Sequence, residues 1–497
     1  MIFILVIALF ASACLAVSTV FDRQLNDPQL ACQKLSQTLT KENGTIFPTD
    51  GASYEDFEDE NYSAICRLPA ACIINPSNTQ EVATVVEILA EYQTKFAIRG
   101  GGHNYIPGFA SVNESGVLIS LSQLNSITLS EDETSVGVGP GNRWQAVYEA
   151  LVPKGLMVIG GRVGPVGVGG LVLGGGLSYF ATAYGLSLDN VKSFEVVLGD
   201  GSIAIASADN EHADLYKALR GGGSNFGIVT SYELYTHPIG NISIDARAYS
   251  PNQTVEFFNA LAEYQKEGQL DSKSSATVQI LETGPTLLML YADAVQQPQA
   301  FAPFYALEQY QAILPPSNGS LLDVLAISGS RFVTGEIRVY GETFSHISDG
   351  DLMNELYNIY VEETANLPVN VTGTWVPNPV AASVAAIGAQ YGGNLLGLSE
   401  VAQVWYETYI TYQDPAHDDI VREVTERFTQ RCIAAAQERN LELPYLFANT
   451  AGREQKVLES YGAQSVAYMR TVAAKYDDGS VFQTLQNDGF LLRDISQ

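Results

Sequence analysis

Three clusters of glycine between residues 99 and 230 constrain this chain more than any other feature of its sequence. They are Arg99-Gly-Gly-Gly-His-Asn-Tyr105, the run from Gly160 to Gly176, and Arg220-Gly-Gly-Gly-Ser-Asn-Phe-Gly-Ile-Val229. Glycine has no Cβ, so each cluster lets another body lie directly against the backbone. Strand-like residues 95–98 lead into the first cluster, and the third runs into a strand of its own. The middle run mixes glycine with Val and Leu and is too apolar for a flexible linker. No strand leads there into a Gly-x-Gly-x-x-Gly helix start, which excludes the dinucleotide fingerprint of a Rossmann fold. Three such loops against apolar strands point to one long cofactor clamped along its length. Successive N–H groups in a Gly-Gly-Gly turn make a concave site for a phosphate or pyrophosphate. His103 follows that turn directly, and its imidazole can serve as ligand, base or nucleophile.

The surrounding pattern reads as a β-α-β unit followed by hairpins. Residues 30–39 predict a short helix and residues 54–62 an acidic, irregular approach. A strand over 72–76 is followed by a helix capped by Ser77 or Asn78 and running to residue 91, with Val82, Val85, Val86 and Leu89 at helical spacing. Strands are expected over 95–98, 117–121 and 135–139, and helices over 142–151 and 214–219. Strands 191–198 and 202–206 are joined by the turn Gly199-Asp-Gly201. After Pro238 glycine thins out. Strands over 276–281, 286–291 and 336–343 alternate with helices over 254–266, 351–364 and 418–440, the texture of an α+β domain with an antiparallel sheet.

With 497 residues, 46% of them hydrophobic, the chain is long enough for two or more domains with sizeable cores. A net charge of −29 argues against nucleic acid and anionic membrane as partners. Residues 1–16 read as a secretory signal, an apolar run over 2–10 followed by small residues, too short to span a membrane. Sequons at Asn43, Asn61, Asn113, Asn241, Asn252, Asn318 and Asn370 agree with a secreted glycoprotein. Cys14 lies in or beside the signal, and Cys32, Cys66, Cys72 and Cys432 show no zinc-type spacing, so no metal is expected. In an oxidising compartment one bridge is expected, Cys32 to Cys72, with Cys66 as the rival partner.

Four blocks in fixed order carry a resemblance. Arg99-Gly-Gly-Gly-His103, Pro165-Val-Gly-Val-Gly-Gly170 with Gly174-Gly-Gly176, Asp189-Asn-Val191, and Arg220-Gly-Gly-Gly-Ser-Asn-Phe-Gly-Ile-Val-Thr230 together resemble the berberine-bridge-enzyme-like FAD-linked oxidoreductases. The ending, Tyr461-Gly through Lys475-Tyr-Asp-Asp to Val481-Phe482, is similar as well. The resemblance spans nearly the whole mature chain. It implies a two-part FAD-binding domain of the PCMH, vanillyl-alcohol-oxidase type over 68–239 and an α+β substrate domain with an antiparallel sheet over 240–440. Residues 441–497 would then return to the FAD domain. It places cofactor contacts at Arg99, Gly100, Gly101, Gly102, His103, Pro165, Val166, Gly167, Gly169, Gly170, Gly174, Val191, Asn225, Gly227 and Ile228. His103 matches the histidine that holds FAD covalently.

Two departures shape the expected chemistry. Many members carry a second flavin link through a cysteine; here that position is Val163, or Gly164 if the register slips, so a single link through His103 is expected, with a smaller, more enclosed substrate. The family's Tyr-x-Asn near the C-terminus reads Phe447-Ala-Asn449 here, and a phenyl ring takes no proton. Tyr445 shares a face with Phe447 if the segment is extended and can partly substitute. Tyr105 matches a substrate-side tyrosine, so Tyr105, Tyr445 and Asn449 are the catalytic candidates. Val166 matches a position where a small residue leaves room for O2, which implies an oxidase. Alternation along one strand puts Glu336, Arg338 and Tyr340 on one face, either as helpers or as a solvated face with salt bridges. Trp375 and Tyr391 read as packing residues. The expected activity is a secreted FAD oxidase that takes a hydride from a small secondary-metabolite intermediate and gives H2O2. The alternatives are a carbohydrate oxidase and an FAD-holding protein with little turnover.

Overall fold

The computed structural model describes residues 27–39, 44–307, 311–330 and 335–495. The signal segment 1–16, Cys14 and the sequon at Asn43 lie outside the described residues.

The first glycine loop grows from a four-stranded sheet in the order Thr45–Ile46, Cys72–Ile74, Gly116–Ser120, Lys95–Arg99. Cys72–Ile74 and Lys95–Arg99 both run parallel to Gly116–Ser120, so a crossover is required, and the helix Thr79–Glu91 supplies it. That helix starts where Asn78 accepts the Glu81 N–H while the Glu81 carboxylate takes the Ser77 N–H. Val82, Val85, Val86 and Leu89 are buried against the sheet, as their spacing requires. Cys32 is bonded to Cys72, tying the helix Pro28–Thr38 to the first parallel strand, and Cys66 is free and buried. Of the acidic stretch 54–62, expected to be irregular, residues 54–58 belong to the helix Ala52–Glu58, held because the buried Tyr54 hydroxyl donates to the Ala70 carbonyl, and 59–62 are turn and bend.

A five-stranded antiparallel sheet follows, in the order Ile127–Leu129, Ser135–Val138, Ile228–Tyr235, Val191–Val197, Ile203–Ser207. The middle glycine run contains a helix, Val168–Leu173, that glycine's poor helix propensity hid from the sequence.

The remaining sheet has eight strands, in the order Gln311–Gly319, Ile242–Ala248, Gly284–Tyr291, Ser274–Leu281, Thr372–Val380, Gln403–Tyr412, Arg338–Ile347, Glu442–Leu443. Its pairings are antiparallel. Thr372–Val380 was hidden by Pro377 and Pro379, which cannot donate to a ladder. Its pairing with Ser274–Leu281 is confined to Trp375 opposite Ile280, so few donors are needed on that side. One face of the sheet packs on the helices Thr254–Lys266, Gly350–Thr364 and Asp418–Glu438 through Phe258, Trp375, Tyr406 and Phe428. Trp375 is fully buried there, stacked 5.0 Å from Tyr406, the packing role expected of it. Tyr391 is 40% exposed and does not pack; its carbonyl accepts from Arg220. The strand period of two turns Trp405, Glu407 and Tyr409 to the opposite face, toward the glycine loops.

Residues 481–493 join the first half. Phe96 donates to Leu485 and accepts from Asn487 through its backbone, and Phe482 packs edge-on at 5.9 Å from Phe96. Among the described residues no helix is long and apolar enough to cross a membrane.

Candidate active site

The first two glycine loops meet backbone to backbone. A Cβ at Gly101 would lie 2.4 Å from the Gly167 Cα, so neither position accepts a side chain without a shift of main chain. Arg143 fixes the contact by donating to the Pro165 carbonyl at 2.5 Å. Trp144 N–H takes the Val166 carbonyl and Val168 N–H the Asn142 carbonyl, so the turn at 164–167 is pinned on both sides. Gly100 faces the Pro140 carbonyl, whereas Gly170 and Gly223 face open space. Gly169 receives the Tyr232 hydroxyl on its carbonyl. The open main chain at Gly170 and Gly223, on loops packed too tightly for side chains elsewhere, fits a cofactor laid along it.

Arg99 is fully buried and pairs with Glu60 at 2.8 Å. Gly102 has φ +65°, a turn that aims the chain at His103. Burial, helped by the Arg143 charge, lowers the His103 pKa to about 4, so its imidazole is neutral near pH 7. Its ring lies flat on Tyr62, with centroids 4.4 Å apart.

Several residues expected to touch cofactor, and the catalytic candidate Asn449, make bonds that hold the loops. The Asn225 amide donates to the Gly222 and Phe490 carbonyls and its oxygen accepts from Leu492 N–H, which ties the third loop to the C-terminal segment. The Val191 carbonyl accepts from the Tyr216 hydroxyl. Gly227 clears Val196, and Ile228 is buried in the strand beyond it. Asn449 donates to the Gly170 and Leu171 carbonyls and accepts from Gly176 N–H, with its amide in the space a Gly174 Cβ would fill.

Across from the loops is a polar cluster that sequence reasoning missed. Arg162 donates to Glu407 Oε1 at 3.1 Å and to Asn378 Oδ1 at 2.8 Å, while Asn378 Nδ2 donates to the same Glu407 oxygen at 2.9 Å. Glu407 keeps 16% of its side chain exposed. Tyr105 lies against Gly341, donates to the Thr450 carbonyl at 2.6 Å, and has a pKa pushed well up by burial and the charge of Glu407. Tyr409 is raised by the same two causes. The readable signal was Arg162, a lone charge inside an apolar glycine run.

Tyr445 and Phe447 do share a face, 4.7 and 5.2 Å from the Trp405 ring. Tyr445 is buried with its hydroxyl toward Gly175, and burial holds its pKa far above the usual value, which disfavours the tyrosinate form. Of the expected face, Arg338 and Tyr340 point together at the helix Asp418–Glu438, bonded to Asp418 and Glu426, while Glu336 lies before the strand and pairs with Arg67, so all three are engaged away from the loops. Asn61 is 2% exposed and its amide donates to the Cys66 carbonyl, so this sequon is closed in the folded chain.

Comparison with known proteins bears on the same residues. The FAD binding domain model matches residues 70–207. An FAD-dependent monooxygenase of Arthrobotrys oligospora is 38% identical over 467 residues, covering 94% of this chain and 90% of the relative. The FAD-dependent monooxygenase yanF of Aspergillus niger is 39% identical over 453 residues, covering 90% of this chain and 78% of the relative. Among solved structures, BBE-like 1 of Physcomitrella patens superposes with a TM-score of 0.77 at 18% identity, covering 92% of this chain and 99% of the other.

Proposed function

This chain belongs to the FAD-dependent oxidoreductases of the berberine-bridge-enzyme type, and from that premise we propose that it oxidises a small secondary-metabolite intermediate. The observation that carries the reading is the polar triangle of Arg162, Asn378 and Glu407 facing a glycine cradle. In this reading the FAD-binding domain spans 68–239, the substrate domain 240–440, and residues 441–497 complete the first domain. The signal segment and the exposed sequons Asn113, Asn241, Asn252, Asn318 and Asn370 support a secreted glycoprotein.

FAD, when bound, supplies a hydride acceptor whose electrons pass to O2. The chain supplies the rest. Gly100 to Gly102 and Gly164 to Gly170 give bare backbone to the cofactor's phosphates, and neutral His103 offers an imidazole nitrogen for a single covalent bond. Val163, or Gly164 if the register slips, stands where a second link would need a thiol. Glu407 has both of its side-chain hydrogen bonds on Oε1, so Oε2 takes the proton of a substrate O–H or N–H as the neighbouring C–H is broken. Tyr105 walls the same space and orients the substrate.

The relatives' names favour a second outcome, in which one atom of O2 enters the product. The first test is acid denaturation of the secreted protein. Flavin that stays with the pellet in wild type and washes out of His103→Ala supports the covalent assignment; absence of flavin before denaturation overturns the reading. Turnover under 18O2 then separates the outcomes: stoichiometric H2O2 with an unlabelled product marks an oxidase, and label in the product marks a monooxygenase.

A further inference from the structure

Residues 59–67 form a strap between the first glycine loop and the eight-stranded sheet. At one end Glu60 pairs with buried Arg99 and the Tyr62 N–H donates to the Gly102 carbonyl. At the other, the Ala64 N–H donates to the Ile337 carbonyl, Ser63 Oγ accepts the Val339 N–H, and Arg67 pairs with Glu336. Between the two anchorages the Tyr62 ring covers His103, with centroids 4.4 Å apart and planes 8° from parallel.

We propose that Tyr62 is the positioning residue that aims His103 for its bond to flavin. This rests on the reading that His103 carries the cofactor. An imidazole lone pair lies in the ring plane, and the torsion that sets that plane is a broad one with no sharp preference of its own. A flat ring held against one face removes that freedom. Because the strap is fastened to both halves of the molecule, the sheet takes part in aiming the histidine. Overall, one imidazole N–H and one C–H of the flavin 8α-methyl are replaced by an N–C bond. The two protons and two electrons released pass to O2 and leave as H2O2.

The full-length protein is made under riboflavin limitation and loaded with FAD, and the share of flavin that survives acid precipitation is followed with time. Tyr62→Phe keeps the flat ring and is expected to stay within about twofold of wild type. Tyr62→Leu is expected to slow attachment by about 10- to 100-fold, the range misplacement of a reacting group costs, while total bound flavin is unchanged. If Tyr62→Leu gives no soluble protein, Tyr62→His and Tyr62→Met make the same division, a flat ring against a flexible chain. Wild-type attachment in Tyr62→Leu or Tyr62→Met overturns the proposal. Flavin that washes out of wild type overturns the His103 link and this proposal with it; flavin lost only from His103→Ala leaves the link standing and Tyr62 without the role.

Discussion

Around the glycine loops, the contacts that shape the site all fall on main chain: Gly101 on Gly167, and the side chains of Arg143 and Asn449 on the carbonyls of Pro165, Gly170 and Leu171. On the eight-stranded sheet they are side chain on side chain: Glu407 with Arg162 and Asn378, Tyr445 and Phe447 on Trp405. The two halves therefore fail differently. Where glycines meet main chain to main chain, as Gly101 and Gly167 do, no added atom fits. A face of side chains is set by strand register and can be revised one residue at a time without disturbing the fold, which is what a scaffold serving many substrates needs.

The hardest test of that contrast is Gly101→Ala. Its Cβ would meet main chain at 2.4 Å, so the flavin-to-protein absorbance ratio is expected to fall to background. A variant with normal flavin content would break the contrast. Glu407→Gln is the matching change across the interface: flavin content should be unchanged while turnover falls about 10²- to 10⁴-fold, the usual worth of a positioned acid or base. Loss of flavin in that variant would show that the sheet, too, holds cofactor.

The next effect concerns the glycine half's own frame. Cys32 and Cys72 are 40 positions apart, so replacing both with Ser is expected to cost about 3–4 kcal/mol in urea melts, with turnover per folded molecule intact. Glu342 belongs to the sheet. Burial raises its carboxyl to about 7, so the folded state keeps a proton that the unfolded state releases. Its contribution is favourable below about pH 4.5 and is lost as pH rises through 7. Glu342→Gln should flatten that slope, gaining on the order of 3 kcal/mol on wild type between pH 4.5 and pH 8, followed by denaturant midpoints. The smallest effect is expected from Phe447→Tyr, about twofold to fivefold in turnover either way, since the ring packs on Trp405. A gain beyond tenfold would instead revive the reading of a protein with little turnover.

The same contrast explains what could be read from the amino-acid sequence. Glycine loops are local words: Arg99 to His103 announces a cradle without knowledge of any other segment, and so does Pro165 to Gly170. Helix Thr79–Glu91 was legible for the same reason, since its cap and its apolar stripe lie within one stretch. Glu407 was not, because its meaning comes from Asn378 on a strand disguised by prolines and from Arg162 far up the chain. Tyr62 was passed over because its surroundings are acidic, and composition alone says nothing of a ring two residues beyond Glu60 that finds His103. Arg338 and Tyr340 do share a strand face, toward Asp418 and Glu426, whereas Glu336 lies before the strand and turns to Arg67; where a strand starts and which side of a sheet faces the site are tertiary facts.

The closure of the first sheet by Phe96, Leu485 and Asn487 sets a timetable for synthesis. Asn487 reaches Gly108 across 379 positions of chain. At about 5–20 residues per second, the ribosome delivers that partner roughly 20–75 s after the first glycine loop has emerged. Until then the cradle is a half-built edge, with strand Lys95–Arg99 open along one side and loop 220–227 unfastened. The frame of the glycine loops is thus finished only with the last residues of the chain, and a message cut short before residue 481 leaves the first sheet and loop 220–227 without those bonds.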